Sequence, residues 1–150
     1  MKYFKGFFIC LVAVVLLTGC GSKKLTCSQS SDESGMKTEM KYTIGFKSDK
    51  PSTIKTETKM TATSDEVKES WSMMAGFMEL GFADFKDKAG VKIDSKNDEK
   101  KYTYTLTMDI DLNKISDDDL EGLDLSDIAN STSGYDDVKK DAEDAGFTCK

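Results

Sequence analysis

Met36-Lys37-Thr38-Glu39-Met40-Lys41-Tyr42-Thr43-Ile44-Gly45-Phe46-Lys47 is the stretch whose reading decides the fold class. Met36, Thr38, Met40, Tyr42, Ile44 and Phe46 alternate with Lys37, Glu39, Lys41, Thr43, Gly45 and Lys47. A period of two places one set on each side of an extended chain, so this is a half-buried β-strand. Ser48-Asp49-Lys50-Pro51 supplies a turn, and Ile54–Ala62 returns with heavy threonine content, as in a partly exposed strand.

Downstream the period changes. Thr63-Ser64-Asp65-Glu66 resembles a capping box with acids in the first helical turn. Val67, Trp71, Met74, Met78, Phe82 and Phe85 then recur at helical spacing and predict one long helix, with Gly76 and Gly81 as places to bend it and Gly90 as its stop. Val91–Ser95 and Lys101–Leu112 form a second hairpin around Lys96-Asn97-Asp98-Glu99; Tyr102, Tyr104, Leu106, Met108 and Ile110 alternate along its second strand. The acidic stretch Ser116–Asp127 predicts a short helical turn and a loop. A last helix over Tyr135–Ala145 ends at Gly146, and Phe147–Cys149 adds an edge strand. The order β-β-α-β-β-α describes an α+β domain: an antiparallel sheet with one face covered by a long helix and a shorter C-terminal helix.

Upstream, residues 1–19 carry the parts of an export signal. Lys2 and Lys5 precede the uncharged apolar run Gly6–Leu17, which is shorter than the roughly 20 residues a membrane-spanning helix needs. Leu17-Thr18-Gly19-Cys20 resembles the lipobox of bacterial lipoproteins. The expected cleavage falls between Gly19 and Cys20, where small side chains admit the peptidase. The Cys20 thiol then receives diacylglycerol, and two or three acyl chains of the palmitate kind anchor stably at ~0.8 kcal/mol per buried methylene. Residues 20–35, polar and serine-rich, are expected as the lipidated cysteine and a tether with a small strand at Leu25–Ser28. The extracytoplasmic domain is then expected over 36–150. The expected location is the cell membrane, or the outer membrane if there is one, since Gly21 supplies no aspartate-type retention signal.

Loss of residues 1–19 removes Lys2 and Lys5, leaving 19 lysines against 27 acids and a charge of −8. That excludes nucleic acid as a natural partner. The chain has no arginine and no histidine. The bidentate fork for phosphate is therefore missing, as is the usual general base and transition-metal ligand. Of four cysteines, Cys10 leaves with the signal and Cys20 takes lipid. Cys27 and Cys149 remain near the two ends of the domain, and in an exported compartment we expect them to bond.

The chain resembles the YehR-like family of small bacterial lipoproteins. The lipobox ending in Cys20 carries the likeness, with Ala89-Gly90-Val91, Lys114-Ile115, Leu120-Glu121-Gly122-Leu123 and Ala145-Gly146-Phe147. The resemblance implies location and fold, and no activity. Cys27 and Cys149 are outside this pattern, so their pairing rests on the cysteine argument alone.

Candidate sites are few. Asp109, Asp111 and Asn113 open like a calcium loop, but Lys114 stands where glycine is needed and Leu120 where the bidentate glutamate belongs. This reads as a solvated acidic loop, with Asp117, Asp118, Asp119, Glu121, Asp124 and Asp127. Met36, Met40, Met60, Met73, Met74, Met78 and Met108 read mostly as core filler rather than a copper(I) site. Trp71, Tyr42 and Tyr104 are the candidates for lining an apolar ligand pocket between helix and sheet. No metal and no cofactor are expected, and no catalysis. The expected role is a binding module engaging an envelope protein or cell-wall partner; the alternative is a carrier of a small apolar ligand.

Overall fold

The computed structural model describes residues 22–123, 125 and 134–150. The expected signal peptide (residues 1–19, with Gly19), Cys20, Asp124 and Asp127 lie outside the described residues.

The quoted stretch is strand β2 (Met36–Lys47), flanked by β1 (Ser22–Glu33) and β3 (Lys50–Ala62). Two-residue turns join them. Ser34 and Gly35, then Ser48 and Asp49, all have positive φ. That is the geometry whose twist matches a hairpin. A side chain on Gly35 would also collide with Ser64.

Helix α1 (Asp65–Glu69) follows, capped by the Ser64 hydroxyl accepting from the Val67 amide at 3.3 Å, and then α2 (Trp71–Gly81). The expected single long helix is thus divided. The break falls at Ser70, not at Gly76. The Ser70 hydroxyl donates to the Val67 and Glu66 carbonyls at 3.2 and 3.4 Å, the local bonding by which serine competes with helix continuation.

A 3₁₀ turn (Ala83–Phe85) leads to β4 (Val91–Asp98), β5 (Thr103–Asp111), α3 (Asp117–Gly122), α4 (Tyr135–Asp144) and β6 (Thr148–Cys149). The described strands form one antiparallel sheet in the order β4-β5-β3-β2-β1-β6. The fold is α+β. No described helix is long and apolar enough to cross a membrane.

Residues 22–33 are a correction to the expected tether. Only Leu25 and Cys27 of β1 are buried, and its serines and glutamine argue against a strand by themselves. Pairing with β2 along its whole length, Ser22 with Lys47 through Glu33 with Met36, makes it one. The described domain therefore begins at β1, two residues after Cys20, and not at residue 36.

Register explains the core. Leu25, Ile44, Ile54, Ile110 and Val91 are cross-strand neighbours in one row over five strands, all buried. Phe46, Ile115 and Leu120 pack with that row, as does Ala142 of α4. Farther along the same face, Ala62, Tyr104 and Leu106 pack with Trp71 and Ala75 of α2. The opposite face is polar. Lys59–Glu39 at 3.5 Å and Lys55–Asp109 at 3.4 Å cross between its strands, as do hydroxyl pairs Thr26–Thr43 and Thr61–Thr103. Exposed pairs of this kind contribute about 0–1 kcal/mol each, so this face is solvated rather than stabilising.

Candidate functional site

Cys27 and Cys149 are disulfide-bonded, with Cα atoms 4.1 Å apart. They are partners in the β1–β6 ladder, and Lys150 and Thr26 exchange backbone hydrogen bonds of 2.8 and 3.1 Å beside them. Tyr42 stands next in the row, its ring edge-on to Phe147 at 5.0 Å. Burial pushes the Tyr42 phenol above its ordinary pKa.

The three candidate pocket residues do not share one cluster. Tyr42 packs beside the disulfide, whereas Trp71 and Tyr104 lie together under α2. Trp71 is nearly sealed, and its Nε1 donates to Asn97 Oδ1 at 3.0 Å. The Tyr104 hydroxyl is buried there with no hydrogen-bond partner among the described residues. Surface depressions of about 370, 700 and 400 Å³ lie beside Val91, Met40 and Lys24, and none of the three touches Trp71.

The calcium-like residues are committed elsewhere. The Asp111 carboxylate lies 3.1 Å from Lys114 Nζ and accepts from the Asn113 amide and side chain, at 3.1 and 3.2 Å. The Lys114 contact first, then those to Asn113, holds its pKa below the usual carboxylate value. Asp109 pairs with Lys55. Asp119 accepts from the Ser116 hydroxyl at 2.6 Å and pairs with Lys88 at 3.0 Å, which lowers its pKa in that order of importance. Lys88 is raised in turn, chiefly by Asp119. Among the described residues no three acidic or cysteine side chains converge as a metal site.

One surface feature escapes a reading by single stripe. Met73, Phe77 and Leu80 of α2 are 63%, 67% and 70% exposed. At spacings of four and three they form one stripe pointing away from Trp71 and Ala75. Met60, Met74, Met78 and Met108 do pack around the Trp71 cluster, so the core reading holds for them, while Met73 and Met40 stand out in solvent. The one signal for it in the sequence is that Trp71-Ser72-Met73-Met74-Ala75-Gly76-Phe77-Met78-Glu79-Leu80-Gly81 is apolar around most of its circumference, more than one sheet face can cover, and the stronger inward stripe masks it.

No protein-family profile matches the chain, and no curated protein sequence does. Two solved structures share its architecture. The NMR structure of a protein from Streptococcus pneumoniae TIGR4 superposes with a TM-score of 0.62 at 16% identity, covering 100% of this chain and 98% of that one. The NMR structure of the E. coli YehR protein superposes with a TM-score of 0.60 at 21% identity, covering 87% of this chain and 93% of the other. The fold is YehR-like.

The residues that carry the resemblance to YehR-like proteins do structural work here. Gly90 has φ of +78°, and a Cβ there would stand 2.8 Å from the Ile115 amide nitrogen and 2.9 Å from the Asp111 carbonyl. A Cβ on Gly122 would press on the Phe85 ring at 3.2 Å. Val91, Ile115 and Leu120 are core, and Phe147 packs against the same cluster beside Tyr42. Gly90, Val91 and Ile115 thus lock the start of β4 to the segment after β5 and help to build the YehR-like fold.

Within that fold the Tyr104 hydroxyl tests the pocket idea directly. A buried hydroxyl without a partner carries a desolvation penalty of ~1–3 kcal/mol. Tyr104→Phe is therefore expected to raise the unfolding free energy by about 1 kcal/mol in urea titrations. A loss of stability would mean that the hydroxyl bonds to something held between α2 and the sheet.

Proposed function

We propose that this chain is a lipoprotein, held outside the cytoplasm by lipid on Cys20, that binds an envelope protein through the outward stripe of α2 and performs no catalysis. The observation that carries the reading is the exposure of Met73, Phe77 and Leu80 on one helix face. Three large apolar side chains in water on a helix that already buries Trp71 and Ala75 make a patch of the kind that marks interaction sites. Their spacing suits a helix laid into an apolar groove. A protein surface offers such a groove, and a polysaccharide of the cell wall does not. Absence of catalysis is supported by chemistry: the chain has no histidine, and the carboxyl shifts of Glu39, Asp111 and Asp119 run downward, away from a general acid.

The test is in-cell crosslinking of the tagged full chain with a photoreactive residue at position 77, and as a control at Thr105 on the polar sheet face. One dominant envelope partner at position 77, absent at 105 and lost when Leu80→Asp is added to the chain, is the expected result. Leu80→Asp should leave the unfolding free energy within ~0.5 kcal/mol, since the side chain is largely in solvent. Equal background at both positions would sink the reading. The carrier alternative is favoured by the lone Tyr104 hydroxyl, and the Tyr104→Phe titration decides it.

A further inference from the structure

The described sheet begins at Ser22, only two residues after Cys20. An extended chain spans at most ~3.6 Å per residue, so a lipid on Cys20 would hold the start of β1 within about 7 Å of the acylated sulfur's backbone. No tether intervenes to let the domain tumble. The residues around Ser22 then matter as those nearest the lipid.

That corner is basic in an otherwise acidic chain of net charge −6. Ser22 pairs with Lys47, and Lys47 with Lys50, so the two lysines stand in register with the start of β1 on the next two strands. At about 4.8 Å between strands, all three lie within roughly 10 Å. Lys24 is two residues along β1, on the same polar face, opposite Gly45. A depression of about 400 Å³ lies at this end of the sheet, edged by Ser22, Lys23, Lys24, Lys47, Ser48 and Ser52. Lys24, Lys47 and Lys50 are exposed and make no ion pair with the described residues. Lys23 is on the other face, 3.7 Å from Asp49 and over the Tyr135 ring at 5.4 Å. Asp49, Asp136 and Asp137 lie on that same inner side, the latter two opening α4, while Asp111, in the polar-face row of Lys24, Gly45 and Thr53 but on β5, is paired with Lys114 at 3.1 Å. The polar side of the corner thus presents three lysines that no carboxylate of the described residues pairs with.

We propose that Lys24, Lys47 and Lys50 rest against anionic lipid headgroups and orient the domain with the Ser48–Asp49 turn toward the membrane. This inference rests on the Cys20 anchor. Charge complementarity selects the occupant: a surface rich in phosphodiester headgroups attracts juxtamembrane lysines, and the anchor keeps these within a Debye length of it. In this orientation the lysines take up the slack that a single point of attachment leaves.

The experiment uses the full lipoprotein purified from cells and reconstituted in two vesicle types, phosphatidylcholine alone and phosphatidylcholine with phosphatidylglycerol. Amine acylation at each lysine is read by peptide mass spectrometry. Lys24, Lys47 and Lys50 are expected to react about fivefold more slowly in the anionic vesicles, the equivalent of ~1 kcal/mol per lysine, with the difference abolished by high salt. Lys96 and Lys140 should react alike in both. Equal rates at the three lysines in both vesicles, or uniform slowing at every lysine, would overturn the proposal. The same spectra weigh the Cys20 peptide. Acyl mass with equal lysine rates overturns the orientation alone, whereas a peptide without acyl mass overturns the anchor and the orientation together.

Discussion

Replacing Cys27 and Cys149 together by alanine should lower the unfolding free energy by about 4–5 kcal/mol. The bond closes a loop with a sequence separation of 122, most of the described chain. Cross-linking removes loop-closure entropy from the unfolded state, and the chain-entropy relation gives about 5 kcal/mol for a loop of this size. The native state has little else to hold this end: β6 is two residues long and pairs through two rungs. The Cys27 side chain is fully buried, and α4 reaches the core through Ala142 with Val138 and Phe147 beside it. Loss of the bond should therefore loosen β6 and α4 before the rest of the sheet. Urea unfolding of the wild type with and without reductant, beside the double variant, measures it. A midpoint shift corresponding to less than about 1 kcal/mol would show that the bond contributes nothing beyond the β1–β6 pairing.

Trp71→Ala is the second large effect, a loss of about 3–5 kcal/mol. Trp71 is 2% exposed and is the largest of the sealed side chains. Removing it leaves a void among Ala62, Ala75, Tyr104 and Leu106 and orphans the Asn97 carbonyl. Asn97→Ala alone should cost about 1 kcal/mol, the value of one hydrogen bond, and little more once Trp71 is gone, because the two residues share that bond. Phe77→Ala, two turns away on the opposite side of α2, is the internal control and should change stability by less than ~0.5 kcal/mol. Circular dichroism is the appropriate probe, since Trp71 is the sole tryptophan. Equal losses for Trp71→Ala and Phe77→Ala would refute the placement of α2.

The alternation of β2 and β5 was legible because Ile44 and Phe46, and Tyr104, Leu106 and Ile110, are buried with Met108 half-buried in the same phase, while their neighbours face water or the polar side. The two turns at Ser34-Gly35 and Ser48-Asp49 fall where the apolar alternation stops. β1 was not legible, because Ser28, Gln29, Ser30 and Ser31 have neither apolar period nor strand preference; their extended form comes from β2. The break at Ser70 was hidden for a related reason. Serine is no obligate helix breaker, and only the alternative bonding of its hydroxyl shows that the turn ends there. Among the candidate residues, the Cys27–Cys149 pair was readable by elimination, whereas the outward stripe of α2 was obscured by the stronger inward one.

By itself the sequence determined the strands with a clear period, the α+β class and the absence of arginine and histidine chemistry, since these follow from local spacing and side-chain type. Only the tertiary structure decided that β5 lies against β3, that β1 runs as a full strand from Ser22, and which side of α2 is covered. The physical reason is range. Strand order, pairing of a polar strand and choice of helix face are set by contacts between residues far apart in the chain, where local preference carries no information.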